Sequence, residues 1–303
     1  MSTLQNKIDF VAFISVNMAN ANGDPLNGNR PRADYDGYGE MSDVCIKRKI
    51  RNRMKDMENN VFVISNDRRD NDDKVKSLKE RAEAIPELNE AVDKGDEDSF
   101  ARVACKTWLD VRSFGQVFAF SKENKKDKGK DKDKEKDKKD KGVSIGIRGP
   151  VSIHQAVSIS PIDIESMQIT KSVNGEPGEK KGPDTMGYKH FVRFGLYEIK
   201  GSINVQLAEK TGFTEEDAQT IKECLRTLFV NDASSARPDG SMEVYKLYWF
   251  QHSCKDGQYS SAKVHRSIKV CLKDENKVPA SVDDYIITVE ELPGLKPEII
   301  EGV

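Results

Sequence analysis

Lys47, Arg51 and Lys55 recur at every fourth residue, Arg48 stands beside them, and Arg30 and Arg32 lie a short way upstream. Positions four apart share one face of a helix, so these side chains form a positive stripe able to neutralise successive phosphates. The upstream arginines close a loop, NANGDPLNGNRPR (Asn20–Arg32), that also holds Asn22 and Asn27. Loops rich in Gly and Asn can turn backbone N–H groups toward an anion. Loop and stripe together are equipped to hold a phosphate chain. Asp24, Asp34 and Asp36 crowd the same stretch. Paired carboxylates can hold a divalent metal for phosphodiester cleavage, which leaves a metal-dependent RNA endonuclease as the alternative. Asp in such loops also serves turns, by accepting nearby backbone N–H groups.

The chain contains no GxxxxGK[ST], no GxGxxG after a strand, no HExxH and no GxSxG. Its four histidines (His154, His190, His252, His265) are scattered, and its five cysteines are odd in number and form no CxxC. A disulfide framework or zinc site is therefore not expected, no cofactor is called for, and a reducing cytoplasm fits. No apolar signal region opens the sequence, and no run nears the roughly 18 apolar residues of a membrane span. Lys and Arg number 49 against 51 Asp and Glu, a formal charge of −2, so any hold on nucleic acid must come from local clustering.

Periodicity outlines the elements that must position these residues. Ile8–Val16 alternates as a strand, with Ile8, Phe10, Ala12, Ile14 and Val16 on one face. Val11 and Phe13 predict partial cover of the other face. Ser42 caps a helix running to Lys55, with Ile46, Ile50, Met54 and Met57 as its core stripe. Lys47 and Arg51 lie off that stripe, so both should be removable without unfolding. Val61–Ser65 reads as a short strand. Helical patterns follow at Val75–Val92, divided by Pro86, and at Ser99–Leu109. Asp110–Phe120 turns through Gly115 into apolar residues. Ser121–Gly142 holds eleven Lys against seven Asp or Glu and reads as a solvated, disordered excursion. Val143–Ile164 is β-like, and Asn174–Gly187 is a loop rich in Gly and Pro. His190–Leu207 reads as a strand whose apolar parity switches near Tyr197, predicting a bulge or bend. Thr214–Val230 is a helix that Thr214 and Asp217 open as a capping box. Val244–His252 and Val264–Leu272 read as a hairpin across Asp256-Gly257, and Tyr285–Val289 as a final strand.

Without its insertions the order is strand, helix, strand, strand, helix, strand, the α+β ferredoxin-like pattern of RRM-type RNA-binding domains. Lys189–Tyr197 (KHFVRFGLY) is only a loose echo of the RRM aromatic signature, so base stacking on an open sheet is not expected. The motifs NANGDPLNGNRPR, SDVCIKRKIR (Ser42–Arg51), DVRSFG (Asp110–Gly115), RGPV (Arg148–Val151) and DTMGYKHFVRFGLY (Asp184–Tyr197) carry a family resemblance. Their order resembles the crRNA-binding backbone subunits of type I CRISPR Cascade complexes, most closely the type I-C form.

The resemblance implies an RRM-like palm (1–60, 110–120 and 190–303) and a helical finger insertion (61–109). It implies a β-rich segment with a thumb loop (143–189), and the Lys/Asp-rich loop (121–142) departs from the family's pattern. It further implies a non-enzymatic, cytoplasmic protein that binds guide crRNA and lines up with copies of itself and other Cascade subunits. The guide would then pair with a target DNA strand. Lys47 and Arg51 match the helix phosphate contacts of that family, and Arg30 and Arg32 match its loop contacts. Asn22, Asn27, Arg48, Lys55, Arg112, Lys189 and His190 complete the expected RNA-binding set. Met167 or Met186 would be the apolar wedge of the thumb. No metal, cofactor or membrane is implied.

Overall fold

Strand β1 (Ile8–Ala19) is buried along nearly all of its twelve residues, on both faces. The computed structural model describes residues 2–120, 143–170 and 186–303. The Lys/Asp-rich stretch 121–142 and all but the last two residues of the Gly/Pro-rich loop lie outside the described residues. After β1 come β2 (Gly23–Asp24), β3 (Arg30–Pro31), β4 (Tyr38–Met41) and helix α1 (Asp43–Asp56). A helical stretch follows: α2 (Leu78–Glu83), α3 (Pro86–Lys94), α4 (Glu97–Thr107) and α5 (Leu109–Phe114). Then come β5 (Gly115–Phe120), β6 (Val143–Arg148), β7 (Val151–Ile153), β8 (Ala156–Pro161), β9 (Ile164–Thr170) and β10 (Met186–Ile203). The chain continues through α6 (Val205–Thr211), α7 (Glu215–Arg226), β11 (Met242–Gln251) and α8 (Ser261–Arg266). It closes with β12 (Ile268–Leu272), β13 (Tyr285–Val289) and β14 (Glu298–Glu301).

The result is a mixed α+β fold around one large antiparallel sheet, in the order β14-β11-β1-β10-β8-β4, with β7 and β9 also paired to β10. On one face, Ile46, Ile50 and Met54 of α1 and Ala218, Ile221 and Leu225 of α7 pack against Phe10, Ala12 and Ile14 of β1. Cutting one of these, as in Ile50→Ala, costs about 2–5 kcal/mol for the lost burial and the cavity left behind. Ser42 caps α1 by accepting from Cys45 N at 3.2 Å, and Thr214 and Asp217 form the expected capping box on α7. On the other face, Val11, Phe13, Phe194, Leu196, Tyr248 and Phe250 are buried under α8, the β12–β13 hairpin and Leu292 and Leu295. No face of this sheet's centre is open to stack a base.

That double cover explains the parity of β10. Its pairing with β1 runs one for one from Ile203 opposite Ile8 to Phe194 opposite Asn17, so the expected bulge near Tyr197 is absent. Both parities are apolar because both faces are buried. Tyr197 instead lies between two glycines: a Cβ at Gly39 would come within 2.2 Å of its hydroxyl, and one at Gly195 within 2.8 Å of its ring.

A separate cluster fills the region of α2–α5. The Phe62 ring lies 4.6 Å from that of Trp108 and 5.1 Å from that of Phe118, and Leu88, Phe100 and Ile145 join them. The β5–β6 hairpin packs here through Phe118 and Ile145 rather than extending the main sheet. Pro86 starts α3, as its divider role predicted. Val61–Ser65 is not a strand, because the N–H groups of Phe62 and Val63 donate to the Asp110 carboxylate instead of a ladder. The hairpin expected across Asp256-Gly257 is also absent. Ser260 caps α8 there, Val264 and His265 point into the core, and β12 pairs with β13. Val205–Leu207, read as strand, opens α6 under an Asn204 cap. No described helix is long and apolar enough to cross a membrane.

Candidate nucleic-acid interface

The first loop is tied to the helix behind it. Asn22 Oδ1 accepts from Ser42 N at 2.9 Å and from Ser42 Oγ at 3.1 Å, so Asn22 joins the loop to the α1 cap. Buried Asn20 donates to the Asn29 carbonyl at 2.6 Å. Asn27 is exposed on a short 3-10 turn, followed by Gly28 at φ +59°. The carboxylates of this region do turn chemistry. Asp24 Oδ1 accepts from Leu26 N and from Arg32 Nη2, both at 3.2 Å. Asp34 Oδ1 accepts from the N–H groups of Asp36 and Tyr38 at 3.0 and 2.8 Å. Among the described residues, no three His, Cys, Asp or Glu side chains converge as a metal site.

The cations of α1 fall into two groups. Lys47 pairs with Asp43 at 3.0 Å, Arg48 with Asp67 at 3.7 Å and Lys55 with Asp70 at 2.5 Å; Arg48 is exposed, Lys47 and Lys55 are half-buried, and Lys47 also lies 6.0 Å from the centre of the Phe114 ring. Arg51 is different. Its Nε donates to Asp110 Oδ2 at 2.9 Å, with the arginine only 14% exposed and the carboxylate 1%. Its guanidinium also lies 5.1 Å from the centre of the Phe114 ring. Removing Arg51 would strand a buried carboxylate, so the expectation that it can be cut away without unfolding is corrected: the acid that claims it arrives from α5. Arg112 is committed in the same way, through a fork of two 2.8 Å bonds to Asp217, the residue that caps α7. Lys49, absent from the expected set, is buried against Asp232 and the Phe229 ring. Burial pushes its amine below the usual lysine range, with Asp232 opposing that shift.

The β9–β10 hairpin supplies the other half of the site. Lys189 stands opposite Met167, and Met186 opposite Thr170. Residues opposite one another share a face and successive residues alternate, so the two candidate wedges point to opposite sides. Met167, Ile169 and Lys189 share one side; Met186, Tyr188, His190 and Ser166 share the other. Arg30 reaches that second side from β3 and donates to Ser166 Oγ at 2.9 Å, and Ser166 Oγ meets His190 Nδ1 at 2.8 Å. Ser166 thus bridges the Arg30 guanidinium and the His190 ring. Tyr188 lies parallel to His190, with ring centres 6.2 Å apart.

Loop and hairpin, 136 residues apart in sequence, thus meet in one ledge. Among the described residues, the side-chain partner of Arg30 is a neutral hydroxyl and no carboxylate pairs with it. The reading of the sequence missed Ser166 and Tyr188. Ser166 gives no local signal, whereas the alternation Met186, Tyr188, His190 marks a shared face.

The sequence matches the family described as CRISPR-associated protein Cas7 over residues 6–290. A curated protein of that description from Haloferax volcanii is 24% identical over 296 residues, covering 96% of this chain and 83% of its own length. A chain of a solved CRISPR RNA-guided surveillance complex in a pre-nicking state matches with a TM-score of 0.43 and 16% identity, over 85% of this chain and 81% of that one. A chain of another solved CRISPR RNA-guided surveillance complex gives 0.41 and 14%, over 80% of this chain and 68% of that one.

Proposed function

The chain belongs to the Cas7 family of CRISPR-associated proteins, and from that premise we propose that it holds a guide RNA by its backbone and lines up along it, head to tail, as the spine of a type I surveillance complex. The observation that carries the reading is the ledge where Arg30, Ser166 and His190 join the first loop to the hairpin. It sets a guanidinium that meets no carboxylate among the described residues beside an exposed strand pair. The α1 stripe adds to it. Each of these pairs has an exposed carboxylate, and surface pairs are worth only about 0.2–1 kcal/mol, so Lys47, Arg48 and Lys55 can exchange a carboxylate for a phosphate at little cost.

On this reading, the β11-β1-β10-β8 part of the sheet with α1 and α7 is an RRM-like palm, the helical cluster is the finger, and the β9–β10 hairpin is the base of the thumb. Arg32, Asn22 and Asn27 shape the loop that faces the phosphates. Target DNA would be recognised by pairing with the guide, and the protein would be indifferent to guide sequence. Unlike faces on one copy generate open arrays rather than closed dimers, so assembly with further copies and other Cascade subunits follows from the same geometry.

The test is sedimentation of the full chain with and without single-stranded RNA of guide length, at several salt concentrations. RNA should drive the protein into larger particles, and the effect should weaken as salt rises, because phosphate contacts release counterions. A monomer in every condition at micromolar protein would refute the reading.

A further inference from the structure

Among the described residues, the β9–β10 hairpin exposes apolar side chains on both sides, and its one exposed aromatic is Tyr188. Tyr188 is 65% exposed, and it lies parallel to His190 within 10°. A lone exposed tyrosine needs no explanation. This one has a supported ring behind it. His190 is fixed by Ser166, Ser166 is fixed by Arg30, and Arg30 belongs to a loop bound to the α1 cap through Asn22. Four residues thus hold the orientation of one ring plane from beneath. On the opposing strand, Gln168 stands directly across from Tyr188 and spends its amide N–H on Met186 Sδ at 2.8 Å.

We infer that Tyr188 is a stacking platform for one nucleobase of the bound single strand, with Arg30 taking the adjacent phosphate; the assignment rests on the RNA-binding reading above. A base laid on the open face of Tyr188 would extend a pile of parallel rings, and Arg30 would lie on the same side of the hairpin. Every base has a π-face, so such a contact tolerates any sequence. Base–aromatic stacking is worth about 1–3 kcal/mol on truncation to alanine, equivalent to roughly 5- to 150-fold in affinity. The platform is not Met167, which faces the other way, and Met186 beside Tyr188 has no flat face to offer.

The test compares wild type, Tyr188→Leu, Tyr188→Phe and Arg30→Ala, binding single-stranded RNA with 2-aminopurine replacing its adenines. Tyr188 is exposed, so Tyr188→Leu should leave the thermal midpoint unchanged. It should weaken binding about 10-fold, relieve part of the 2-aminopurine quenching and leave the salt slope untouched. Tyr188→Phe should behave as wild type, because the ring carries the contact. Arg30→Ala should lower the salt slope by about 0.7 and leave the quenching per bound base intact. Equal affinity and quenching in wild type and Tyr188→Leu would overturn the platform while sparing the RNA-binding reading. No RNA binding by wild type would overturn both.

Discussion

Two sites in this molecule use arginine, and they use it in opposite ways. At the junction of α1, α5 and α7, Arg51 and Arg112 each meet a buried carboxylate, Asp110 and Asp217. At the loop–hairpin ledge, Arg30 meets a neutral serine. The first pair of guanidiniums is neutralised and packed, and serves stability. The second site keeps its charge at the surface and can serve a ligand. Both look alike in the sequence, where each is a cation in or near the first helix or in the DVRSFG string. What separates them is the partner, and the partner is distant: 59 residues for Arg51, 105 for Arg112 and 136 for Arg30.

The largest effect should come from the junction. Asp110 accepts from Arg51 and from the N–H groups of Phe62 and Val63, so Asp110→Ala leaves one buried cation and two N–H donors unpaired. Removing one partner of a buried pair costs about 3–5 kcal/mol, which urea unfolding would read as a large drop in midpoint. A loss under about 1 kcal/mol would erase the contrast between the two sites. Arg112→Ala should cost less, about 2–3 kcal/mol, because its guanidinium is partly exposed and Asp217 still caps α7. Protease cleavage within α7, faster than in wild type, would locate that damage.

The surface cations of α1 should sharpen the comparison from the other side. Lys47→Ala breaks an i,i+4 pair worth about 0.3–0.5 kcal/mol, so stability should hardly move. The RNA salt slope should nonetheless fall by about 0.7, the share of one phosphate on a single strand. A stability loss as large as that of Arg112→Ala would put Lys47 with the structural group.

The smallest effect concerns pH. His265 is buried in α8 with its Nε2 on the Gly201 carbonyl, and burial holds its pKa below the usual histidine value, partly opposed by that hydrogen bond. The unfolded chain therefore takes up a proton at higher pH than the folded one. Its contribution to stability is full above the unfolded value of about 6.5 and is lost as pH falls below that value and through the lower folded one. His265→Gln should flatten the decline of stability between pH 7 and pH 5, and an identical decline in both proteins would remove His265 as its source.

Much of the fold was legible because its signals are local. The α1 stripe of Ile46, Ile50 and Met54, the Ser42 cap, the Thr214–Asp217 box and the break at Pro86 each need only a few neighbouring residues, and each stands as read. Local signals failed where tertiary packing overrode them. β10 is apolar on both faces because two layers cover the sheet, which alternation alone reports as a bulge. Phe62 and Val63 have strand-like side chains but give their N–H groups to a helix side chain. For the candidate site, cation spacing on α1 was readable, and which cations are already spent was not, since that depends on carboxylates brought in by α5 and α7.

The central claim is that surface cations, and not the buried arginine of the same helix, meet the phosphates. Salt slopes of single-stranded RNA binding test it most directly, in two charge-altered proteins whose folded state is checked by circular dichroism at the binding temperature. Arg30→Ala with Lys47→Ala removes two surface cations, and the slope should fall by about 1.4. Arg51→Gln with Asp110→Asn removes both charges of the buried pair at the cost of one acceptor for the Phe62 and Val63 N–H groups, and the slope of the folded protein should equal that of wild type. A slope lowered by the buried double change and untouched by the surface one would contradict the account.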